Sequence, residues 1–355
     1  MVNKSARSFW LHYPLCAAPG LWWNPRMSKK VLFIGGSGNI STACSRLAAE
    51  RDVELVHFNR GQRRVQPPGR MRTIHGDIND RRAMAQALAS ETFDVVVNWI
   101  VFDPAQAAAD VEMFAGKVKQ YVFISTATVY QKPPRNYVVT EETPLANPFW
   151  EYSQKKIATE QFLMEQHRRH GFPVTIVRPS FTYGDTWIPT AFGVDFTSVH
   201  RMRQGLPLPL HGDGTSLWVM THASDFAKGL LGLLGRRDAV GEAFHITSDE
   251  VMSWNQVYEC IANAAGAQAK LVHIPSDFIA QVDPAIGAGL HGDKAHSLVF
   301  DNSKIKRFVP EFRCTVSLAE GMRHTIAWLD AHPEEQRLDS NVTVEKILAA
   351  WNSSH

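Results

Sequence analysis

Apolar and polar positions alternate in blocks along the first half of this chain. Val31 to Ile34 is a short apolar run, residues 39–50 place apolar side chains at helical spacing, and Val53 to Phe58 alternates like a strand. The pattern then predicts a strand at Met71 to His75, a helix at 80–90, a buried strand at Val95 to Val97, a helix at 104–116 and a strand at Tyr121 to Ser125. Asn147-Pro148 supplies an N-cap and a first-turn proline for a long helix running to His170, where Gly171 fits the C-terminal cap; Val174 to Val177 follows as a strand. Strands and helices alternating at this spacing give a parallel sheet with helices on both faces. Beyond residue 180 the rhythm breaks: Pro189, Pro207, Pro209, Gly212 and Gly214 interrupt it. Helical spacing returns near 223–235, 253–265 and 316–331, and Ala243 to Ile246 reads as a strand. The expected fold class is α/β, a doubly wound parallel sheet followed by a smaller mixed part.

Composition then narrows the classes. Of 355 residues, 45% are hydrophobic and 20% charged, which excludes a disordered chain. Lys plus Arg number 37 against 35 Asp plus Glu, a net charge of +2, so the footprint of a dedicated nucleic-acid binder is missing. Cys16, Cys44, Cys260 and Cys314 are scattered, without C-x-x-C spacing or a nearby His, which argues against a zinc site or a disulfide framework and for a reducing compartment. His167 and His170, beside Arg168 and Arg169, read as a solvated helix end, so no metal is expected. No apolar run approaches the ~18 residues of a membrane span, and the expected location is the cytoplasm. Residues 1–26 do not fit the rest: His12 and Pro14 interrupt the apolar stretch, and Met27-Ser28-Lys29-Lys30 makes a natural start. They read as a disordered extension.

Gly35-Gly36-Ser37-Gly38-Asn39-Ile40-Ser41 lies between the first strand and the first helix. Glycines there let the backbone turn tightly and approach a pyrophosphate seated on the helix N-terminus. The second strand ends in Asn59-Arg60-Gly61, where such a site reads the adenosine ribose. A neutral Asn59 and a cationic Arg60, in place of an acid, lean towards NADP over NAD. Asp77-Ile78 ends the third strand, with Asp77 able to accept from the adenine amino group. Residues 27–185 therefore read as a Rossmann NAD(P)-binding core, and 186–355 as mainly substrate-binding, with segments at about 220–260 returning to the core.

Tyr152 and Lys156 stand at i and i+4 on the long helix, hence on one face. A phenol with a pKa near ~10 is a poor base at neutral pH, and an ammonium one turn away favours the phenolate. Ser125-Thr126-Ala127-Thr128-Val129-Tyr130, at the end of the preceding strand, adds hydroxyls at the edge where ligands sit.

Together these motifs resemble the extended short-chain dehydrogenase/reductases, the NAD-dependent epimerase/dehydratase group, over roughly residues 30–330. The resemblance places Gly35 and Gly38 in the cofactor turn (the family's third glycine is Ser41 here), Asp77-Ile78 at the adenine and Asn98 beside the cofactor. It makes Thr126, Tyr152 and Lys156 the catalytic residues. Glu141-Glu142-Thr143-Pro144 is similar to the loop before the catalytic helix. Arg178-Pro179, then Tyr183-Gly184, is similar to the segment leading to nicotinamide and substrate, so Ser125 and Pro179 join the cofactor contacts. Dehydratases of the family carry Asp-Glu after the catalytic threonine; Ala127-Thr128 stands here, which disfavours a 4,6-dehydratase. Where nucleotide-sugar relatives place an arginine for the diphosphate, this chain has Trp218, which cannot pair with it. Arg201 and Arg203 remain alternative sources of that charge. Thr128, Phe181, Tyr183, Trp187 and Trp218 are the expected substrate contacts. The resemblance implies an NAD(P)-dependent sugar or sugar-nucleotide epimerase/oxidoreductase, or an NADPH-dependent ketone or aldehyde reductase. The expected partner is a small sugar-like molecule, with no nucleic acid, no membrane and a homodimer as the assembly. The Asn59-Arg60-Gly61 turn also resembles that of chloroplast stem-loop-binding proteins, so a non-catalytic RNA-binding relative is the rival from another class.

Overall fold

The computed structural model describes residues 29–61 and 71–354; the stretch 1–26, read above as an extension, lies outside the described residues. Seven strands form the main sheet: β1 (Lys29–Ile34), β2 (Val53–Asn59), β3 (Met71–His75), β4 (Val95–Asn98), β5 (Gln120–Ile124), β6 (Val174–Pro179) and β7 (Ala243–Ile246). Their order is β7-β6-β5-β4-β1-β2-β3, and every neighbouring pair is parallel.

Successive residues of β1 point to opposite faces, and both faces are covered, so the strand reads as an unbroken apolar run. Val31 and Phe33 pack with Cys44 and Ala48 of α1 (Asn39–Ala49) and with Phe226 and Leu230 of a helix at Ala223–Leu233. Leu32 and Ile34 pack on the other side with Met84 of α2 (Arg81–Leu88), Ala107 of α3 (Pro104–Phe114) and Leu163 of α4 (Glu151–His170). Because β1 lies between β2 and β4, the strand order reverses there. A crevice follows at the carboxyl ends of β1 and β4, the usual place for a ligand in such sheets.

The long helix begins later than its Asn147-Pro148 signal suggests, with Trp150 as its N-cap. Asn147 is drawn away: its Nδ2 donates to Thr128 O (2.8 Å) and to Gly292 O (2.7 Å), binding the loop to two distant segments. The other end follows expectation, Gly171 taking the left-handed cap at φ +69°.

The part beyond residue 180 has its own core around Trp218, Trp254 and Tyr258. Helices at Trp254–Ala265 and Leu318–Ala331 were legible as periodic stretches; the helix at Asn341–Ser354 and the paired strands Pro207–His211 and Lys270–Ile274 were not. Among the described residues, no helix is long and apolar enough to cross a membrane.

Candidate functional site

The glycine turn stands at the sheet's reversal point. Gly35 has φ +81°, and a Cβ there would lie 2.8 Å from Ile100 Cγ2, just past β4. At Gly36 a Cβ would lie 2.9 Å from His57 Nε2. Only glycine lets the backbone run this close to its neighbours. Ser41, in the place of a third glycine, closes the turn: its Oγ accepts from Gly38 N (2.7 Å). His57 beneath is held by Ser45 Oγ at 2.9 Å, and burial pulls its imidazole down to about 4, so it is neutral.

A cavity of about 250 Å³ opens from this turn and brings together Gly35, Ser37, Asn59, Arg60, Asp77 and Ile78. Asn59 Oδ1 accepts from Gly61 N (2.9 Å) and Asp77 Oδ1 from Asn79 N (2.9 Å), so both side chains also shape their own turns. Arg60 is exposed at the rim. Of the other predicted cofactor contacts, Gly38, Asn39 and Ile40 open α1. Asn39 Nδ2 donates to Thr182 O at 3.3 Å. Asn98 is fully buried and spends its side chain on Asp110 Oδ2 (2.6 Å) and Ile100 N (3.0 Å). Its effect on the crevice runs through the loop it holds. Pro179 closes β6 opposite Ile246. Ser125 Oγ, at the end of β5, is buried without a partner, and a buried hydroxyl in that state is costly. The glycine cradle and this orphaned hydroxyl fit a dinucleotide.

Thr126, Tyr152 and Lys156 meet beyond the end of β5. Thr126 caps a short 3₁₀ turn at Ala127–Val129, its Oγ1 accepting from Thr128 N (3.2 Å) and donating to Thr128 Oγ1 (3.2 Å). Thr128 in turn shares a 2.6 Å hydrogen bond with Ser153 on α4. Lys156 Nζ donates to Val101 O (2.6 Å) and Ile124 O (2.8 Å), pinning α4 to the ends of the sheet. It lies 4.9 Å from the Phe102 ring centre, 4.8 Å from that of Phe123 and 5.9 Å from that of Tyr152. Burial pulls the Lys156 ammonium down to about 7, with the Glu160 charge acting the other way.

The expected lowering of the Tyr152 phenol by Lys156 is not met. Burial pushes Tyr152 up to about 12; a hydrogen bond with Thr126 acts downward and the Asp293 charge upward. The physical reason is the direction of Lys156, whose bonds go to carbonyls. Glu160 is itself buried and holds Arg178 in a forked pair (2.6 to 3.2 Å), while Arg178 also reaches Tyr130 OH (3.2 Å).

On the substrate side the sequence expectations divide. Trp218 is only 1% exposed and stacks on Trp254 with centroids 6.3 Å apart, so it is a core residue and offers no free face to a sugar. Tyr183 is likewise buried, with its ring against His222, its hydroxyl reaching Ser317 O (3.4 Å) and Gly321 directly beneath it. The apolar pattern of a closing core and that of a sugar platform look alike in sequence. Phe181 is half-buried and Trp187 exposed. The residues sequence reasoning missed come from a distant turn, the cap of α4 and a loop: Asp293 and Lys294, Trp150 (5.1 Å from the Tyr152 ring) and Lys132. No local signal marks them, since a buried lysine reads like a surface one. Arg201 and Arg203 are committed elsewhere, Arg201 to Glu345, Asn341 and Pro207 O, and Arg203 to Asp330 and Ala265 O. Among the described residues, no group of three or more His, Cys, Asp or Glu is placed to hold a metal.

A parallel sheet with a glycine turn at its reversal point defines the class of dinucleotide-binding α/β folds. Residues 31–247 match the NAD dependent epimerase/dehydratase family, and the chain belongs to that family. It is 26% identical over 274 residues to the chloroplast stem-loop binding protein of 41 kDa b of Arabidopsis thaliana, covering 73% of this chain and 69% of that one. It is 28% identical over 215 residues to a dTDP-glucose 4,6-dehydratase of Actinoplanes, covering 61% of each. Among solved structures, an epimerase of Methanothermobacter thermautotrophicus shares the fold with a TM-score of 0.72 at 18% identity, over 87% of this chain and 94% of that one. The UDP-glucuronic acid 4-epimerase of Bacillus cereus, solved with UDP-glucuronic acid and NAD, does so with 0.68 at 19%, over 85% and 99%.

Proposed function

We propose that this chain is an NAD(P)-dependent epimerase or oxidoreductase acting at a carbinol carbon of a sugar-like substrate that carries no nucleoside diphosphate. The reading rests on Thr126, Tyr152 and Lys156 converging at the end of β5, beside the glycine turn. The turn at Gly35–Gly38 cradles the pyrophosphate on α1, Asn59 and Arg60 face the adenosine ribose, Asp77 and Ile78 the adenine, and Ser125 the nicotinamide end. The cofactor, when bound, supplies a hydride acceptor that is positively charged in its oxidised form. Thr126 orients the substrate hydroxyl and Tyr152 takes its proton, while Lys156 fixes the helix that carries Tyr152. Burial holds the Tyr152 phenol near 12, so taking the substrate's proton would need a further positive charge against the ring, which the oxidised cofactor would bring. The UDP-glucuronic acid 4-epimerase of Bacillus cereus and the UDP-glucose 4-epimerase of Bifidobacterium longum were solved with NAD. Arg60 is what favours NADP in this chain.

The absence of a diphosphate now rests on Arg201 and Arg203, both spent on other partners. Lys132 and Lys294 remain on the substrate side, but with Asp293 beside them they offer a net of one positive charge, short of what a diphosphate needs in a partly desolvated cleft. The test is a panel of UDP-, GDP- and dTDP-sugars against free sugars and simple glycosides, with NAD and NADP in turn, followed by nicotinamide absorbance and product stereochemistry. Turnover confined to nucleotide sugars would contradict the reading. Similarity to the stem-loop binding protein favours a second one, RNA binding. Salt-sensitive RNA retention with no turnover of any sugar would support it.

A further inference from the structure

The turn at Leu290–Lys294 presses on the start of α4. At Gly292 a Cβ would lie 2.8 Å from Trp150 Cβ, and its carbonyl takes a hydrogen bond from Asn147. The next two residues are charged: the Asp293 charge reaches Tyr152, and Lys294 lies over Trp150, whose ring is 5.1 Å from that of Tyr152. Asp293 is 4% exposed; its Oδ2 faces Lys294 Nζ at 3.3 Å, and its Oδ1 is buried with no partner. The Lys294 backbone is anchored by His211 and Ser216 to its carbonyl, at 3.0 and 3.1 Å. Its ammonium lies between the Trp150 and Phe181 rings, 5.5 and 5.7 Å from their centres. Lys132 comes from the loop after Tyr130 and is 2% exposed; burial lowers its ammonium, the Asp293 charge acts the other way, and the Lys294 charge adds to the lowering. Among the described residues the three donors of Lys132 have one acceptor, Tyr130 O at 3.3 Å.

A buried ammonium with two idle donors and a buried carboxylate oxygen with no donor are each expensive to keep. Two cations and one anion leave the cluster one positive charge in excess. A ligand group that settles all of this has one negative charge and an adjacent hydroxyl. We infer that Lys132, Asp293 and Lys294 form the recognition site for a carboxylate-bearing polyhydroxylated substrate. Lys132 and Lys294 pair with the carboxylate, and Asp293 Oδ1 accepts from a neighbouring hydroxyl. The inference builds on the proposed function and names its substrate class as a sugar acid.

The test is calorimetric titration of the full chain, with nicotinamide nucleotide present, using glucuronate, galacturonate and gluconate. The corresponding neutral sugars and sugar 6-phosphates are run in parallel. At least one acid should bind roughly tenfold or more tightly than its neutral and phosphorylated counterparts, as charge-assisted hydrogen bonds imply. Lys132→Met and Lys294→Met should each bring that acid to the level of the neutral sugar, and Lys294→Arg should restore much of the preference. Acids that bind no better than neutral sugars, or no acid binding at all, overturn the inference. So does a stronger preference for the phosphates. Variants that weaken acid and neutral sugar equally would reduce the cluster to a structural role. Binding needs no turnover, so an acid that binds with neither reduction of the nucleotide nor change in its own stereochemistry would count against the proposed function and leave this inference standing.

Discussion

Replacing Lys156 by methionine should flatten the pH dependence of stability above neutrality. Burial lowers the Lys156 ammonium from its ordinary 10.5 to about 7 in the folded chain. Between those two values the unfolded chain binds the proton and the folded chain has released it. Unfolding free energy therefore rises with pH across the window from about 7 to about 10.5, and Lys156 adds no pH dependence well below 7, where both states are protonated. At ~1.36 kcal/mol for each pH unit, less the half-titrated start near pH 7, the gain from pH 7 to pH 9 is about 2 kcal/mol. Absolute stability is a poorer readout, because methionine also strands the carbonyls of Val101 and Ile124. The assay is chemical denaturation of the parent and Lys156→Met at pH 7 and pH 9, taking the difference of differences so that every other titrating group cancels. An equal change in both proteins would mean that Lys156 keeps its proton throughout, and the reasoning about its burial would fall.

Gly35→Ala should lower the melting temperature and weaken nucleotide binding. The left-handed backbone alone costs about 1–2 kcal/mol, and the new Cβ meets Ile100; a thermal melt and a nucleotide titration check both. Glu160→Gln leaves the Arg178 charge buried without its counter-ion and should cost about 3–5 kcal/mol by denaturation, whereas a loss under ~1 kcal/mol would show that water reaches Arg178. Arg60→Ala should weaken NADP binding by about 1.5–3 kcal/mol and leave NAD unchanged, read by titration with each nucleotide; equal losses would remove Arg60 from the 2′-phosphate.

The parallel core was legible because its signals are local. Both-face burial makes Val31–Ile34 of β1 and Val95–Val97 of β4 continuous apolar runs, and Gly35 and Gly171 mark turns that need positive φ. The residues expected at the cofactor line one cavity for the same reason, lying at the ends of consecutive strands. The start of α4 was misplaced because Asn147 hydrogen-bonds to Thr128 and Gly292, a tertiary pull that no capping rule contains. Trp218 and Tyr183 were misread because sequence does not say whether an aromatic ring faces a ligand or a neighbouring ring. Asp293 and Lys294 lie some 140 residues from Tyr152 along the chain, so only the fold brings them to the site.

The central claim is that the Tyr152 phenol moves a proton during hydride transfer. The most direct measurement compares the turnover rate of the parent and Tyr152→Phe on the best substrate of the sugar panel, read as nicotinamide reduction or as epimerised product, with nucleotide affinity measured on the same samples. The phenyl ring still packs against Trp150, so affinity should stay within a factor of about two while the rate falls by roughly 10²–10⁴, the usual worth of a positioned acid or base. A Tyr152→Phe protein that turns over within a few-fold of the parent rate would contradict the account.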